Sequence, residues 1–303
     1  MVNEPMNNAP FRIVGAGWRT CEAVKKRTGF RAWIKGKPFV SMVILSMIIL
    51  CCIFAPVIAN HDPSMLYYDH ISEAPNAEFY FGTDYLGRDL YSIMFFGGRT
   101  SIIIGLLGTA ILSVIGIIYG TVNGIVPEKI DSVMMRLTEM LGSIPSILFI
   151  LILSAVFPMQ NVISLSIIIG VTGWFGLARI VRSEVRQIRN TEYVLYARCS
   201  GGRLLYVMWQ HLIPNFLSSI MFVIVSSIGS CITTESTLSF LGLGLPIDKL
   251  SWGSMLSLAN RALILNSWWV IVIPGLFLIV TLMCITNLGN YLRKETNRRP
   301  GII

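Results

Sequence analysis

The sequence predicts an all-α integral membrane protein of about six transmembrane helices, with both termini cytoplasmic. Three observations lead there. Of its 303 residues, 54% are hydrophobic and 13% charged, and the mean hydropathy of +0.67 is too apolar for an ordinary soluble protein. The apolar residues arrive in runs near the roughly 20 that a bilayer-spanning helix needs. The basic residues between those runs fall almost entirely on one side of the expected membrane.

The runs place spans at Phe39–Ala59, Thr100–Thr121, Met140–Phe157, Val162–Arg179, Phe216–Leu238 and Trp268–Leu288. With the N-terminus inside, only Arg88, Arg99, Lys249 and Arg261 of the 24 basic residues are external. Lys129, Arg136, Arg182, Arg186, Arg189, Arg198, Arg203 and Arg293 then count simply as cytoplasmic positive charge. The same rule accounts for the net charge of +8, which therefore does not indicate nucleic-acid binding. The organisation that follows is a cytoplasmic N-terminal segment (1–38), a first span (39–59) and an external segment (60–99). A core of five further spans (100–291) and a cytoplasmic tail (292–303) complete it. Residues 1–37 are polar and basic, and the run after them is too long for a secretory leader, so it is expected to remain as a membrane span.

Within the spans, Gly116, Gly120 and Gly124 recur at spacing four and present one small face for close helix approach. Pro145 and Pro274 are expected to kink the third and sixth spans. The fifth span carries Ser226, Ser227, Ser230, Thr233 and Thr234, neutral hydroxyls that either line an aqueous path or bond between helices. Glu235 is expected near the outer interface as an anchoring or gating group. The six cysteines include no CxxC pair and read as packing residues, and His61, His70 and His211 are too scattered for a metal site. No phosphate-binding loop, nucleophile elbow or zinc-protease helix occurs, so no catalytic machinery is expected.

The segment Glu192–Asn215, EYVLYARCSGGRLLYVMWQHLIPN, is a charged island between two apolar runs. It reads as two short helices and a turn. Asn190 and Thr191 are good N-cap residues, Glu192 puts negative charge in the first turn, Ser200-Gly201-Gly202 stops the first helix, and Pro214 either ends the second helix or opens the next membrane span. A structured cytoplasmic hairpin between two spans is a lever on which something outside the membrane can push.

Glu192-Tyr193-Val194, Ala197-Arg198, Gly201, His211 and Pro214-Asn215 resemble the EAA loop (190–215) of ABC importer permeases of the dipeptide/oligopeptide/nickel class, with departures at Leu195, Tyr196 and Ser200. Phe81-Gly82-Thr83-Asp84-Tyr85-Leu86-Gly87-Arg88-Asp89-Leu90, then Gly97-Gly98-Arg99-Thr100-Ser101, resembles the signature before the second span of the oligopeptide C-type subunits. Glu235-Ser236-Thr237-Leu238-Ser239-Phe240-Leu241-Gly242-Leu243-Gly244, then Ser251-Trp252-Gly253, resembles the element after their fifth span. The resemblance implies the type I ABC importer permease fold in a bacterial-type cell membrane. It also implies a second permease subunit in a heterodimer, two cytoplasmic ATPase subunits holding ATP and Mg, and an external substrate-binding protein. It makes this chain a non-catalytic permease with no cofactor of its own. A short peptide is the implied substrate, and nickel or a metal chelate the alternative. An ATPase-independent secondary transporter or channel would instead need inverted repeats or intramembrane charges. The loop residues are expected to couple to the ATPases. Gly82, Asp84, Gly87, Arg88, Asp89 and Glu235 are expected to serve the external gate or receptor side.

Overall fold

The computed structural model describes residues 38–157, 161–199, 213–246 and 248–298. The expectations for residues 1–37, Gly201, His211 and the last five residues lie outside them. The described residues are helical with no extended strand, only an isolated Thr83–Asp89 bridge. Three helices are long and apolar enough to cross a membrane: α3 (Leu90–Ile125), α9 (Ile213–Phe240) and α12 (Trp269–Arg298). Two bent pairs each make a further candidate crossing, α4 (Glu128–Gly142) with α5 (Ser146–Val156), and α6 (Val162–Gly173) with α7 (Phe175–Arg189). The shorter apolar helix α1 (Phe39–Ile53) is followed by a single turn, α2 (Ala55–Ile58). A short helix α8 (Glu192–Cys199) lies between α7 and α9, and α10 (Trp252–Leu256) and α11 (Ala259–Ile264) lie between α9 and α12.

The helix boundaries depart from the apolar runs, and in three places the local reason is plain. The second span starts at Leu90 rather than Thr100, because Asp89 caps the helix: its carboxylate accepts from the Tyr91 and Ser92 amides. The third span is broken at Ser143–Pro145 with an 85° bend. Pro145 supplies no amide hydrogen and disfavours helix at the residue before it. The fourth span is broken at Trp174 by 47° and continues to Arg189, well past Arg179. Pro274 sits inside α12, which continues through it.

Contacts at the helix ends sort the bundle into two poles. At one, the Asn287 amide donates to Ser41 Oγ, the Thr296 hydroxyl to the Ser218 carbonyl, and Arg189 to the carbonyls of Gly124 and Ile125. At the other, Trp269 Nε1 donates to the Thr83 carbonyl, Trp252 Nε1 to the Met94 carbonyl, and Ser101 to Glu235. The first pole carries most of the basic residues, and the positive-inside rule assigns it to the cytoplasm.

Helix α3 is the axis. At about 1.5 Å per residue its 36 residues are much longer than a hydrocarbon core about 30 Å thick. Its glycine face packs where expected. Gly116 lies against Leu177, Gly120 against the Ala178 carbonyl and Val181, and Gly124 against Val185, all on α7. One apolar core joins α3, α6, α7, α8 and α9 through Leu112, Leu165, Val181, Val194 and Phe216, and a second, at the outer pole, gathers Leu90, Ile93, Trp252 and Trp269. The outward faces stay apolar, as Val40, Met47 and Leu50 on α1 and Val272, Leu276, Ile279 and Met283 on α12 show. Such faces suit lipid.

Candidate functional site

The external motif folds as a tight polar knot on the start of α3. Gly82 and Gly87 both adopt left-handed backbone, φ 75° and 76°. At Gly87 a Cβ would also stand 2.2 Å from the Tyr67 carbonyl oxygen, so only glycine fits. Between the two glycines, Asp84 accepts from the amides of Leu86 and Arg88, both at 2.9 Å. Its second oxygen takes Arg88 Nε at 2.8 Å and Nη2 at 2.7 Å. Asp84 is wholly buried and Arg88 nearly so. The two glycine turns thus bend the chain so that this pair closes on itself, and Asp89, not paired with Arg88, is free to cap α3. Around the knot, His61 stacks on Phe79 with ring centroids 4.8 Å apart. His70 Nδ1 lies 2.5 Å from Glu73 Oε2, which holds the imidazole pKa above its ordinary value.

Replacing Asp89 by Ala removes the acceptor for two amides at the start of α3. The expected cost is about 1 kcal/mol, typical of a lost N-cap. A lower unfolding midpoint of the detergent-purified protein checks it, and an unchanged midpoint would show that the cap does not hold the helix start.

Glu235 departs from its expected place at a wetted interface: it is fully buried. Ser101 Oγ at 3.0 Å and Ser236 Oγ at 3.3 Å bond one carboxylate oxygen, and Ser239 Oγ at 2.9 Å and Ser251 Oγ at 2.7 Å the other. Ser101 Oγ accepts the Trp252 amide and Ser251 Oγ accepts the Ser254 amide as the N-cap of α10, so each hydroxyl proton is left for the carboxylate. Glu235 therefore ties α9 to α3 and to α10. The rest of its motif ends α9. Gly242 is left-handed, φ 75°, its amide bonds the Ser239 carbonyl and the Leu243 amide bonds that of Leu238, a Schellman stop.

The hydroxyls of α9 divide. Ser226, Ser230 and Thr233 fall on one face and are exposed, with half-buried Thr237 continuing the row. Ser227 and Thr234 are half-buried beside it. Ser227, Thr233 and Thr234 donate to carbonyls one turn back, at 2.8–2.9 Å, so they need no partner from another helix. An exposed row of this kind differs from the apolar outward faces of α1 and α12.

At the cytoplasmic pole, Glu192 begins α8, and Tyr193, Ala197 and Arg198 lie within it. Val194 is fully buried in the main core, while Glu192, Tyr196 and Cys199 lie outward at spacings of four and three. Thr191 Oγ donates to the Ile188 carbonyl at 2.7 Å and closes the short joint with α7. Pro214 and Asn215 open α9. The structure also assembles residues that sequence reasoning passed over. Asp131 on α4, almost fully buried, accepts from Arg182 and Arg186 of α7. The signal was present: Arg182, Arg186 and Arg189 stand at spacings of four and three, which puts them on one helix face. Among the described residues no group of three or more His, Cys, Asp or Glu is placed to hold a metal ion.

The described residues thus form a helical bundle of membrane-spanning character, with a buried polar latch at the outer pole and the short anchored helix α8 at the opposite one. Residues 113–298 match the family described as binding-protein-dependent transport system inner membrane component, and residues 39–75 match the N-terminal TM domain of oligopeptide transport permease C. The chain belongs to this transport-permease family. It is 35% identical to the oligopeptide transport system permease protein OppC of Bacillus subtilis (strain 168) over 84% of this chain and 83% of that one. It is 38% identical to OppC of Haemophilus influenzae over 84% and 81%. With the dipeptide transport system permease protein DppC of B. subtilis the identity is 32%, over 83% and 78%.

Proposed function

We propose that this chain is one of two permease subunits of an ATP-driven importer in a bacterial inner membrane, passing short peptides delivered by an external binding protein. The observation that carries the reading is α8. It is a short helix outside the spans, pinned by Val194 and turned outward through Glu192 and Tyr196, in the segment that resembles the coupling loop. ATP and Mg belong to two separate ATPase subunits, and this chain carries out no chemistry and holds no cofactor. The relatives named for oligopeptide and dipeptide transport support a peptide cargo over a metal chelate.

In this reading ATP binding draws the two ATPases together and displaces α8, and the permease pair exchanges inward-open for outward-open states. The knot at Asp84, Arg88 and Asp89 and the Glu235 latch hold the external gate. The exposed row Ser226, Ser230 and Thr233 faces the pathway, with Ser227 and Thr234 at its edge. Neutral hydroxyls can exchange hydrogen bonds with a peptide without trapping it.

The test is purification from membranes with native partners, then reconstitution and ATP hydrolysis with and without binding protein loaded from a mixed library of short synthetic peptides. Recovery of a second permease and two ATPases is expected, with hydrolysis stimulated by the loaded binding protein. Gly201→Val should abolish that stimulation while the permease pair still forms. An active transporter lacking any ATPase would refute the reading.

A further inference from the structure

Asp131 is an unusual group for the cytoplasmic end of a membrane bundle. It lies in the first turn of α4, its side chain is 3% exposed, and it is held by two arginines of a different helix. Arg182 meets both carboxylate oxygens, through Nε and Nη2, and Arg186 adds Nη2 to one of them. One turn further on, Arg189 donates to the Gly124 and Ile125 carbonyls at 3.2 and 3.0 Å. Those carbonyls belong to the last turn of α3, where a cation is favoured and the oxygens have no intrahelical partner.

A single row of arginines on α7 therefore grips two other elements, α4 through Asp131 and the end of α3 through its carbonyls. The adjoining face of α7 places Ala178, Val181 and Val185 in the glycine notch of α3. Positive-inside bias explains why arginines are here, but not why three share one face, two closing on a buried carboxylate and the third on a helix end. An exposed ion pair would carry little, whereas a buried acid bonded by two guanidinium groups cannot lose them without leaving an unpaired charge.

The location gives the grip its consequence. Helix α7 ends at Arg189 and α8 begins at Glu192, and the Thr191 bond and buried Val194 leave little slack between them. Helix α3 runs unbroken from Ile125 to the outer pole, where Ser101 bonds Glu235. We propose that Asp131, Arg182, Arg186 and Arg189 form a clamp that makes α4, α7 and the inner end of α3 one rigid body, so that a push on α8 is delivered along α3 to the outer latch. These four are positioning residues. The proposal rests on the reading above, in which an ATPase pushes on α8.

The test uses the whole transporter, assembled with its partner permease, ATPases and binding protein. Spin labels replace Ser132 on α4 and Ser183 on α7, both exposed, in a background without other cysteines. The inter-label distance should be the same with no nucleotide and after trapping with ATP and vanadate, because the clamp moves as one body. A changed distance in the native sequence would overturn the proposal. In Asp131→Asn the distribution should broaden and shift between the two states. Stimulation of ATP hydrolysis by binding protein loaded from the peptide library should fall about tenfold, within the usual range of coupling between sites, while unstimulated hydrolysis persists. A purely structural role would lower the yield of complex and leave that ratio unchanged. The exchange D131R/R182D should recover most of the stimulation. Full stimulation in Asp131→Asn would also overturn the clamp. If Asp131→Asn does not accumulate, the native distance comparison still decides. A native chain that never assembles with ATPases would defeat the importer reading instead, a failure distinct from either result on the clamp.

Discussion

Glu235→Ala is expected to cause the largest loss of stability and transport of any single substitution in the outer half of the protein. The carboxylate is buried and receives four serine hydroxyls. Truncation removes the acceptor to which Ser101 and Ser251 donate, while each oxygen still takes the amide of Trp252 or Ser254. An ordinary hydrogen bond between membrane helices averages only about 0.6 kcal/mol. Bonds to a charged group are worth about 1.5–3 kcal/mol each, and several are lost together here. Helix α10 should come free of α3, and Trp252 should become accessible to quenchers. Glu235→Gln should fall between, since the amide keeps one acceptor but turns a donor toward other donors. The measurements are the unfolding midpoint in detergent, Trp252 fluorescence and peptide uptake. An Ala variant with a native midpoint and native uptake would mean that the hydroxyl cluster holds nothing together.

Gly120→Ala is expected to be nearly as damaging, although it adds one methyl group. The new carbon would lie 2.5 Å from the Ala178 carbonyl oxygen and 2.8 Å from Val181 Cβ, so α3 and α7 must separate. Backbone cannot yield as a flexible side chain does, and overpacking of this kind costs about 1–3 kcal/mol or more. The separation would also pull the neighbouring contacts of Gly116 and Gly124 out of register. Gly176→Ala is the internal control. Nothing lies within 4 Å of its added carbon, so it should be tolerated and even gain from alanine's helix preference. Expression level and unfolding midpoint of the two variants compared side by side check this. Equal behaviour would remove close helix approach as the reason for the glycine row.

Much of this protein was legible along the chain, because a bilayer imposes a one-dimensional rule. A segment that crosses hydrocarbon must be apolar over a length set by the membrane, and charge at its ends sets direction. That is why the apolar helices, the Gly116, Gly120 and Gly124 face and the helical start of the hairpin could be read without coordinates. The turns of the external motif were legible too, since Gly82 and Gly87 stand on either side of Asp84 and Gly87 directly precedes the Arg88 that pairs with it.

What tertiary structure decided was the partnership of polar groups far apart in sequence. Asp89 could have paired with Arg88, and only the fold shows that it caps α3 while Asp84 takes the arginine. Glu235 read as a group at a wetted edge because no cation accompanies it in sequence. The donors that let it be buried include Ser101 and Ser251, brought in from other elements. Arg182, Arg186 and Arg189 satisfied the charge rule so well that no further role was visible until Asp131, 51 residues before Arg182, folded against them. Apolar burial is summed residue by residue and leaves a periodic trace, whereas a buried charge depends on a particular partner, and the chain alone does not say which partner folding will bring.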